Sequence, residues 1–506
     1  MTENTIVSLS QKIRQVACDA PKRPALTIGA RTISYDELDR QASRAAAGLR
    51  QEGVQPGEAV CFIAANTINH VICIMAATRI GAVIVPLPPS AGPSALVSML
   101  VDSGARLLLA DAELEPDAPN VKTLGHASPA FDAWLPDVAG NEPNHTPKPD
   151  ERCTIIYSSG TTGKPKGIVQ SHAYRSRVIQ GGITRGYTAS SVTLLATPLY
   201  SNTTLASFLQ TFGAGGHVVM MEKFEAGEWL RLAAHHKVTH AMLVPVMIER
   251  LLRHPDFDKT DLSSFLMKFC TSAPFAVNLK REVLERWPGG LMEFYGMTEG
   301  GASFTLKAHE RPDKLHTVGQ IAPDSEVRVL NHDGNPAAPG EPGEIITTAP
   351  GIMLGYHNRP EATSDVILTD ADGKRWICTG DIGQLDDEGF LTILDRKKDM
   401  IISGGFNIYP IDIENVAREH PQVRDVSVTG VPSQKWGETP VAFVVGSQIS
   451  PGALKEWLNV RVSKMQRVHD IVVVDELPRS AIGKILKREL RDMYVSQESV
   501  SLDSKV

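Results

Sequence analysis

The sequence has few cysteines and no large excess of positive charge. The six cysteines are Cys18, Cys61, Cys73, Cys153, Cys270 and Cys378. None of their spacings is typical of metal ligands or of a disulfide framework, so the thiols suit a reducing compartment. Lys and Arg number 51 against 58 Asp and Glu, giving a net charge of −7. Because no basic run is long enough to follow a phosphodiester backbone, nucleic acid is not an expected partner.

Long apolar segments are also lacking. The most apolar stretch, residues 71–87, is interrupted by Arg79 and by prolines before it could span a bilayer. The first fifteen residues have no basic stretch followed by an apolar one, so they do not predict a secretion signal. With 42% hydrophobic and 22% charged residues, the composition is that of a globular enzyme. We therefore expect a cytoplasmic protein without a membrane span.

Short apolar runs without polar alternation recur along the first two thirds of the chain. They are residues 59–64, 82–87, 106–110, 153–157, 217–220, 240–245, 267–270 and 291–295. Such runs are typical of strands buried on both faces of a parallel sheet, and helix-length segments separate most of them. The alternation predicts an α/β fold with doubly wound sheets. Beyond Asp313 the runs alternate more and are separated by Gly, Pro and Asp-Gly turns, which predicts a β-rich subdomain.

The length predicts more than one domain, since 506 residues exceed the size at which a single core keeps growing. A candidate hinge, DRKKD, lies at residues 395–399, and about a hundred residues of mixed α and β pattern follow it. We therefore predict a large N-terminal domain over residues 1–395 and a small α+β C-terminal domain over residues 396–506.

A loop rich in glycine, hydroxyls and lysine follows the apolar run that ends at Tyr157. Its sequence is SSGTTGKPKG, residues 158–167. The N–H groups and hydroxyls of such a loop can bind phosphate, and glycine permits close approach. It is not a Walker loop, because Lys164 is followed by Pro165 rather than by Ser or Thr. A surface hairpin is the alternative, but linkers rarely combine these residue types directly after a buried strand, so we predict a phosphate site.

Seven short segments carry most of the information on function. They are YSSGTTGKPKG (157–167), TPLY (197–200), YGMTEG (295–300), GEIITTAPGIMLGYHNRPEAT (343–363), CTGD (378–381), DRKKDMIISGGFNIYP (395–410) and PRSAIGKILKREL (478–490). In this order and spacing they resemble the adenylate-forming superfamily of acyl-CoA synthetases, non-ribosomal adenylation domains and luciferases. Each segment alone is moderate evidence, but the ordered set is specific and covers nearly the whole chain.

The resemblance implies a ligase that uses ATP, Mg²⁺ and coenzyme A. A carboxylic acid attacks the α-phosphorus of ATP to form an acyl-adenylate, and the acyl group then passes to the CoA thiol. Both reactants of the first step are anionic, so cations and N–H donors must neutralise and align them. By position, Thr161, Thr162 and Lys166 would hold the β- and γ-phosphates. Thr298 would contact the α-phosphate, and Glu299 would ligate Mg²⁺.

The resemblance also implies a nucleotide site. Asp381 resembles the carboxylate that accepts hydrogen bonds from the ribose hydroxyls, with Arg396 supporting the same sugar; a simple turn is the alternative for Asp381. The other residues implied to contact ATP or AMP are Ser158, Ser159, Gly160, Gly163, Ser272, Ala273, Pro274, Tyr295, Gly296 and Met297.

The C-terminal segments resemble the mobile parts of the family. Lys484 resembles the catalytic lysine that bridges the acid carboxylate and the α-phosphate, whereas the nearby Lys487 and Arg488 have the spacing of a solvated helix face. Between the two half-reactions the family rotates its C-terminal domain. The resemblance places the hinge at Lys398.

The pantetheine tunnel and the acid site are also implied. Gly404 and Gly405 match a loop that lines the tunnel, although Ser-Gly-Gly is also a plain turn. The acyl pocket is predicted at Tyr200, Ser201, Asn202, Val244, Gly300 and Gly301. Many relatives have His where Ser201 stands, so Asn202 is a candidate substitute.

The chemistry of these positions also indicates the class of acid. No residue from 200 to 207 is acidic, which disfavours an amino-acid substrate. The small residues at 300–303 predict room for an aromatic or medium-to-long apolar acid.

Two alternatives stay open. The acyl acceptor could be a carrier protein rather than CoA, or oxygen as in a luciferase. The chain could also be a non-catalytic paralogue that senses ATP or AMP, although a sensor has little use for Lys484. The expected assembly is a monomer or homodimer.

Overall fold

The structure is a computed structural model that describes residues 6–111, 122–125, 129–137, 144–158, 165–403, 406–433, 435–480 and 483–503. The chain forms two compact units. Unit 1 comprises Met1–Glu326 and Thr347–Ile377, and unit 2 comprises Val327–Ile346 and Cys378–Val506. The predicted boundary after residue 395 falls within unit 2 and stays a prediction. In the part of the chain that the structure describes, no helix is long and apolar enough to cross a membrane.

Parallel strands alternate with helices through most of unit 1. The strands up to residue 321 are β1 (Pro24–Ile28), β2 (Arg31–Ser34), β3 (Ala59–Ile63), β4 (Val83–Pro86), β5 (Leu107–Ala110), β6 (Lys122–Gly125), β7 (Arg152–Ser158), β8 (Lys166–Ser171), β9 (Val192–Leu195), β10 (His217–Met220), β11 (His240–Leu243), β12 (Met267–Cys270), β13 (Gly290–Tyr295), β14 (Phe304–Lys307) and β15 (Gln320–Ile321). The helices are α1 (Leu9–Asp19), α2 (Tyr35–Gln51), α3 (Ile68–Ile80), α4 (Pro93–Ser103), α5 (Pro129–Trp134), α6 (His172–Thr184), α7 (Asn202–Gly213), α8 (Ala226–His235), α9 (Pro245–Leu252) and α10 (Val277–Arg286).

The later elements are shorter and richer in strands. They are β16 (Glu326–Leu330), β17 (Gly343–Thr348), β18 (Gly355–Tyr356), α11 (Pro360–Ser364), β19 (Ile367–Thr369), β20 (Arg375–Leu385), β21 (Leu391–Arg396), β22 (Ile401–Ser403), β23 (Phe406–Ile408), α12 (Pro410–Arg418), β24 (Val423–Ser433), β25 (Gly437–Gly446), α13 (Pro451–Asn459), β26 (Asp470–Val473) and α14 (Lys487–Asp503).

Two sheets organise unit 1. One has the strand order β15-β14-β13-β12-β11-β9-β10-β1-β2 and is parallel from β13 to β1. The other has the order β18-β8-β7-β4-β3-β5-β6 and is parallel from β7 to β6. Helices connect the parallel strands, so the predicted doubly wound α/β fold is confirmed. Because parallel strands end at one edge of a sheet, the loops after β12 and β13 lie side by side.

The core of unit 1 explains why its strands show no polar alternation. Every residue of β3 is buried, since helices cover both faces of the sheet. Helix α3 is also buried nearly all round, including Arg79. Arg79 forms an ion pair with Asp39 of α2, and its Nε donates to the Ser10 hydroxyl of α1 at 3.0 Å. This buried cation therefore ties three helices together.

Unit 2 contains two sheets. Strands β16, β17 and β20 are neighbours in the first, with β21 antiparallel to β20. The second has the order β23-β22-β25-β24, and β26 pairs with β25. One face of this second sheet packs Val428 and Ala442 against Ile413 of α12 and Leu454 of α13. Together with the helix α14, these elements confirm the predicted small α+β domain.

Candidate active site

The glycine-rich loop is held at both ends by paired strands. Ser158 ends β7 and lies opposite Lys166, the first residue of β8. The Nζ atom of Lys166 lies 5.1 Å from the centroid of the Tyr356 ring. The predicted phosphate residues between these strands lie outside the described residues; they are Ser159, Gly160, Thr161, Thr162 and Gly163. The two ends of the loop are therefore held side by side in the sheet, and Lys166 is the first strand residue after the loop.

Glu299 is held by Tyr356, a residue that the sequence did not single out. The Tyr356 hydroxyl donates to Oε1 of Glu299 at 2.9 Å, and the N–H of Met353 donates to the Glu299 carbonyl at 2.8 Å. Burial and the negative charge of Glu299 raise the pKa of Tyr356, so the hydroxyl stays protonated and remains a donor. The carboxylate is thus oriented by a fixed hydrogen bond.

The surroundings of Glu299 suit Mg²⁺ better than a metal held by protein ligands alone. No group of three or more His, Cys, Asp or Glu within the described ranges could hold a metal ion. Mg²⁺ keeps several waters and commonly binds one or two carboxylates together with substrate phosphates. A single oriented carboxylate beside a phosphate-type loop therefore fits that ion.

The segment around Thr298 and Gly300 is packed tightly against residue 351. The Thr298 carbonyl accepts from Nε2 of Gln170 at 2.6 Å. Gly300 has φ +86°, and a Cβ there would lie 2.2 Å from the Gly351 carbonyl oxygen, so only glycine fits. A Cβ on Gly301 would lie 2.5 Å from Oγ1 of Thr347. Protein atoms thus occupy the space next to both glycines, and their place in the acyl pocket stays a prediction.

The loop after β12 has an unusual backbone conformation. Ser272, with φ +80°, is a non-glycine residue in the left-handed region, and Ala273 and Pro274 follow it. Its hydroxyl hydrogen-bonds that of Thr203 on α7 at 2.7 Å. Tyr295 ends β13, the next strand of the sheet, and Gly296 and Met297 continue from it. Backbone strain of this kind concentrates at ligand sites. The predicted nucleotide contact of residues 272–274 fits this geometry and stays a prediction.

The predicted acyl-pocket residues lie at the starts of two helices. Ser201 is the residue before α7, Asn202 is its first residue, and Val244 immediately precedes α9. Ser201 and Val244 are buried, and Tyr200 is half-buried. The buried Arg175 donates from Nη1 to Oδ1 of Asn202 at 3.0 Å. Asn202 therefore occupies a fixed position.

Asp381 and Arg396 come together through strand pairing in unit 2. They are direct partners in the β20–β21 register, and Nε of Arg396 lies 2.8 Å from Oδ1 of Asp381. Asp381 is buried, and the half-buried Arg396 lies beside it. Gly380, with φ +66°, makes the bend before Asp381, and its carbonyl accepts from the N–H of Lys397 at 2.8 Å.

Lys484 lies within the electrostatic field of this pair. Lys484 is exposed to solvent as a whole residue. Even so, desolvation by the surrounding protein atoms and the positive charges of Arg396 and Lys398 lower the pKa of its ammonium group to about 8. The carboxylates of Asp399 and Asp381 act in the opposite direction. Lys398 is exposed in the turn after β21, whereas the predicted tunnel residues Gly404 and Gly405 lie outside the described residues.

Comparison with known proteins identifies the family. The sequence profile described as AMP-binding enzyme matches residues 13–357, and that described as AMP-binding enzyme C-terminal domain matches residues 412–484. The chain belongs to the AMP-binding enzyme family. The resemblance drawn from the seven ordered segments is therefore confirmed.

Several relatives of this family match along nearly their full length. A feruloyl-CoA synthase from Amycolatopsis sp. is 35% identical over 94% of this chain and 96% of its own. A fatty acid–[acyl-carrier-protein] ligase from Streptomyces coeruleorubidus is 31% identical over 94% of each chain. The structure of o-succinylbenzoate CoA synthetase from Bacillus subtilis with its acyl-adenylate intermediate has a TM-score of 0.84 and 30% identity, covering 95% of this chain and 97% of that one.

One expectation for the C-terminal segment of this AMP-binding enzyme is wrong. Lys487 does not lie on a solvated helix face: its Nζ is 3.5 Å from Oε1 of Glu414 and 3.9 Å from Oδ2 of Asp395, and its side chain is 20% exposed. Arg488 is exposed as expected, and it pairs with Asp492. The spacing of charges along a helix could not separate these two cations, because the partners of Lys487 lie far away in sequence.

Proposed function

We propose that this member of the AMP-binding enzyme family is an ATP-dependent acid:CoA ligase that works through an acyl-adenylate. The observation that carries the proposal is the grouping in unit 2. Asp381 and Arg396 form an ion pair, and both act electrostatically on Lys484. This arrangement supports the proposal, because a carboxylate that could accept from ribose hydroxyls pairs with one cation, and the charges of both act on a second cation, Lys484.

In the proposed first step, the acid carboxylate attacks the α-phosphorus of ATP and pyrophosphate leaves. Mg²⁺, bound by Glu299, would neutralise phosphate charge when it is present. The hydrogen bond from Tyr356 aims the Glu299 carboxylate. Lys166, with Thr161 and Thr162, would hold the phosphates that leave. These groups act by position and charge, because phosphoryl transfer needs little other chemistry from the protein.

Lys484 would donate hydrogen bonds to the acid carboxylate and to the α-phosphate during the attack. A preorganised donor of this kind typically contributes about 3–4 kcal/mol, or about 10²- to 10³-fold in rate. Thr298 would contact the α-phosphate. Asp381 would accept from the ribose hydroxyls, with Arg396 beside it.

In the second step, the CoA thiol would attack the acyl carbonyl and AMP would leave. The feruloyl-CoA synthase relative supports CoA as the acceptor, whereas the carrier-protein ligase relative supports a carrier protein. We favour CoA, with Gly404 and Gly405 lining its tunnel and Lys398 as the hinge. A thioester assay comparing CoA with a pantetheinylated carrier protein tests this choice; transfer to the carrier protein alone would overturn it.

The proposed substrate is an aromatic or medium-to-long apolar acid. Val244 and Ser201 are buried at the starts of α9 and α7, and none of residues 200–207 is acidic, so this segment offers no carboxylate to pair with an amino-acid ammonium group. The aromatic acid in the printed name of the feruloyl-CoA synthase relative supports the same class. We place the reaction in the reducing cytoplasm, which suits the free cysteines.

The decisive experiment is acid-dependent exchange of labelled pyrophosphate into ATP, with a panel running from acetate through medium-chain acids to ring-bearing acids. Wild-type protein should exchange with the larger apolar acids. Lys484→Ala should lose about 10²- to 10³-fold of this activity while still forming thioester from supplied acyl-AMP. Tight AMP binding with no exchange for any acid would instead indicate a nucleotide sensor, and exchange with acetate alone would contradict the proposed substrate class.

A further inference from the structure

A buried series of hydrogen bonds in unit 1 joins the start of α7 to the loop after β13, two segments that we assign to different substrates. At one end Arg175 donates from Nη1 to Oδ1 of Asn202 at 3.0 Å. At the other end Gln170 donates from Nε2 to the Thr298 carbonyl at 2.6 Å. The Thr154 hydroxyl lies between them: it accepts from Nε of Arg175 at 3.1 Å and donates to Oε1 of Gln170 at 2.9 Å.

The direction of every bond in this series follows from Arg175. A guanidinium can only donate, so Thr154 must accept from it and must give its single proton to Gln170. The carbonyl of Gln170 therefore faces Thr154, and its NH₂ group faces Thr298. By the same reasoning the carbonyl of Asn202 faces Arg175. The cation thus sets the orientation of both amides.

The middle of this series of hydrogen bonds is shielded from water. Gln170 is 0% exposed, Arg175 4% and Thr154 5%. Thr154 and Gln170 are opposite residues of the β7–β8 pair, and Arg175 lies in the first turn of α6. Arg175 forms no ion pair with a residue that the structure describes. Burying a cation among neutral partners lowers stability, so a functional reason for keeping it is expected.

A second connection reaches the same loop. Tyr174, the residue before Arg175, lies near Asn202, and the surrounding protein raises the pKa of its hydroxyl. The ring of Tyr174 lies 3.0 Å from where a Cβ of Gly300 would be. Helix α6 therefore contacts the 298–301 segment through Tyr174, while Gln170 of β8 donates to the same segment.

We propose that Arg175 is a positioning residue that couples the acid site to the nucleotide site. This inference rests on the proposed function, because the roles of Asn202 and Thr298 are part of that proposed function. The guanidinium fixes Asn202 where the acid binds and, through Thr154 and Gln170, fixes the Thr298 carbonyl where the α-phosphate binds. Alignment of two reactants depends on such supports, and small displacements lower the rate strongly.

Kinetics of pyrophosphate exchange with an accepted acid would test this coupling. Arg175→Met should raise the KM values for acid and for ATP about tenfold each, because a hydrogen-bonded charge is lost at the centre of the series. Arg175→Lys should recover part of both, since an ammonium can still donate. Arg177→Met is the matched control: Arg177 lies on the same helix, is 43% exposed and pairs with Asp324, so both KM values should stay unchanged.

Gln170→Met separates coupling from stability. This substitution removes the hydrogen bonds of Gln170 with Thr154 and Thr298 but keeps the bond between Arg175 and Asn202. The KM for ATP should therefore rise while the KM for the acid stays near the wild-type value. If Arg175→Met lowers only the amount of active enzyme and changes neither KM value, its role is structural and the proposal is wrong. Should Arg175→Met fail to fold, an unchanged KM for ATP in Gln170→Met overturns the proposal equally. Failure of the proposed function would show differently, as absence of exchange in the wild type.

Discussion

The proton on Lys484 should control the pH dependence of adenylate formation. The ammonium form is the one that can donate to a carboxylate and a phosphate, and its pKa in the free protein is lowered to about 8. Because the charged form is lost as the pH rises through this value, kcat/KM for pyrophosphate exchange should be flat below it. Above it, kcat/KM should fall about tenfold per pH unit.

Lys484→Arg provides the control for that profile. A guanidinium stays protonated above pH 12, so the variant should have a lower rate with no decline between about pH 8 and 10. A decline of equal size in Lys484→Arg would show that another group causes it.

Tyr356 offers a second test at the residue scale. Tyr356→Phe removes the hydrogen bond to Glu299 but keeps the ring beside Lys166. The carboxylate would lose its orientation, so the Mg²⁺ concentration needed for half-maximal exchange should rise about three- to tenfold, the effect of about 1 kcal/mol. Tyr187→Phe, which removes a buried hydrogen bond to Ser207, is the control and should leave the Mg²⁺ dependence unchanged.

At the scale of elements, local pattern predicted the strands well and the buried charges poorly. The runs at 217–220 and 267–270 coincide with β10 and β12, because consecutive apolar residues between turns leave few alternatives. The burial of Arg79 and Arg175 could not be predicted from the sequence. Their partners Ser10 and Asn202 are 69 and 27 residues away, and a single Ser or Asn at such a distance forms no recognisable pattern. Tyr356 was missed for the same reason, although it lies inside a segment that carried the resemblance.

The cluster of Lys487, Glu414 and Asp395 predicts how α14 is held. Lys487→Met removes the cation beside Asp395 and leaves Glu414 with Arg418 as its remaining cation, which should destabilise the attachment of α14 by about 2 kcal/mol after allowance for partial exposure. Hydrogen exchange of the α14 amides should then become about 30-fold faster. Arg488→Met removes an exposed pair with Asp492, so the free energy of opening of α14 that hydrogen exchange reports should change by less than about 0.5 kcal/mol. Equal acceleration in both variants would contradict a special role for the cluster.

For the whole molecule, the two half-reactions should be separable at Lys398. This residue stands in a turn in which the N–H groups of Asp399 and Met400 donate to the Arg396 carbonyl, while its own N–H donates to none of the described residues. Proline at this position therefore removes no hydrogen bond, but it fixes φ and restricts the preceding Lys397. If the backbone must turn here between adenylation and thioester formation, Lys398→Pro should lose the second reaction far more than the first.

The measurement compares pyrophosphate exchange with thioester formation from supplied acyl-AMP in the same preparation. We expect exchange within about threefold of wild type and thioester formation reduced by about 10²-fold or more, a difference of roughly 3 kcal/mol in barrier. Lys398→Ala removes the side chain and leaves the backbone free, so both rates should stay near wild type. Parallel loss of both reactions in Lys398→Pro would mean that the turn supports the nucleotide site through the neighbouring Arg396, and the hinge would then have to lie elsewhere in the chain.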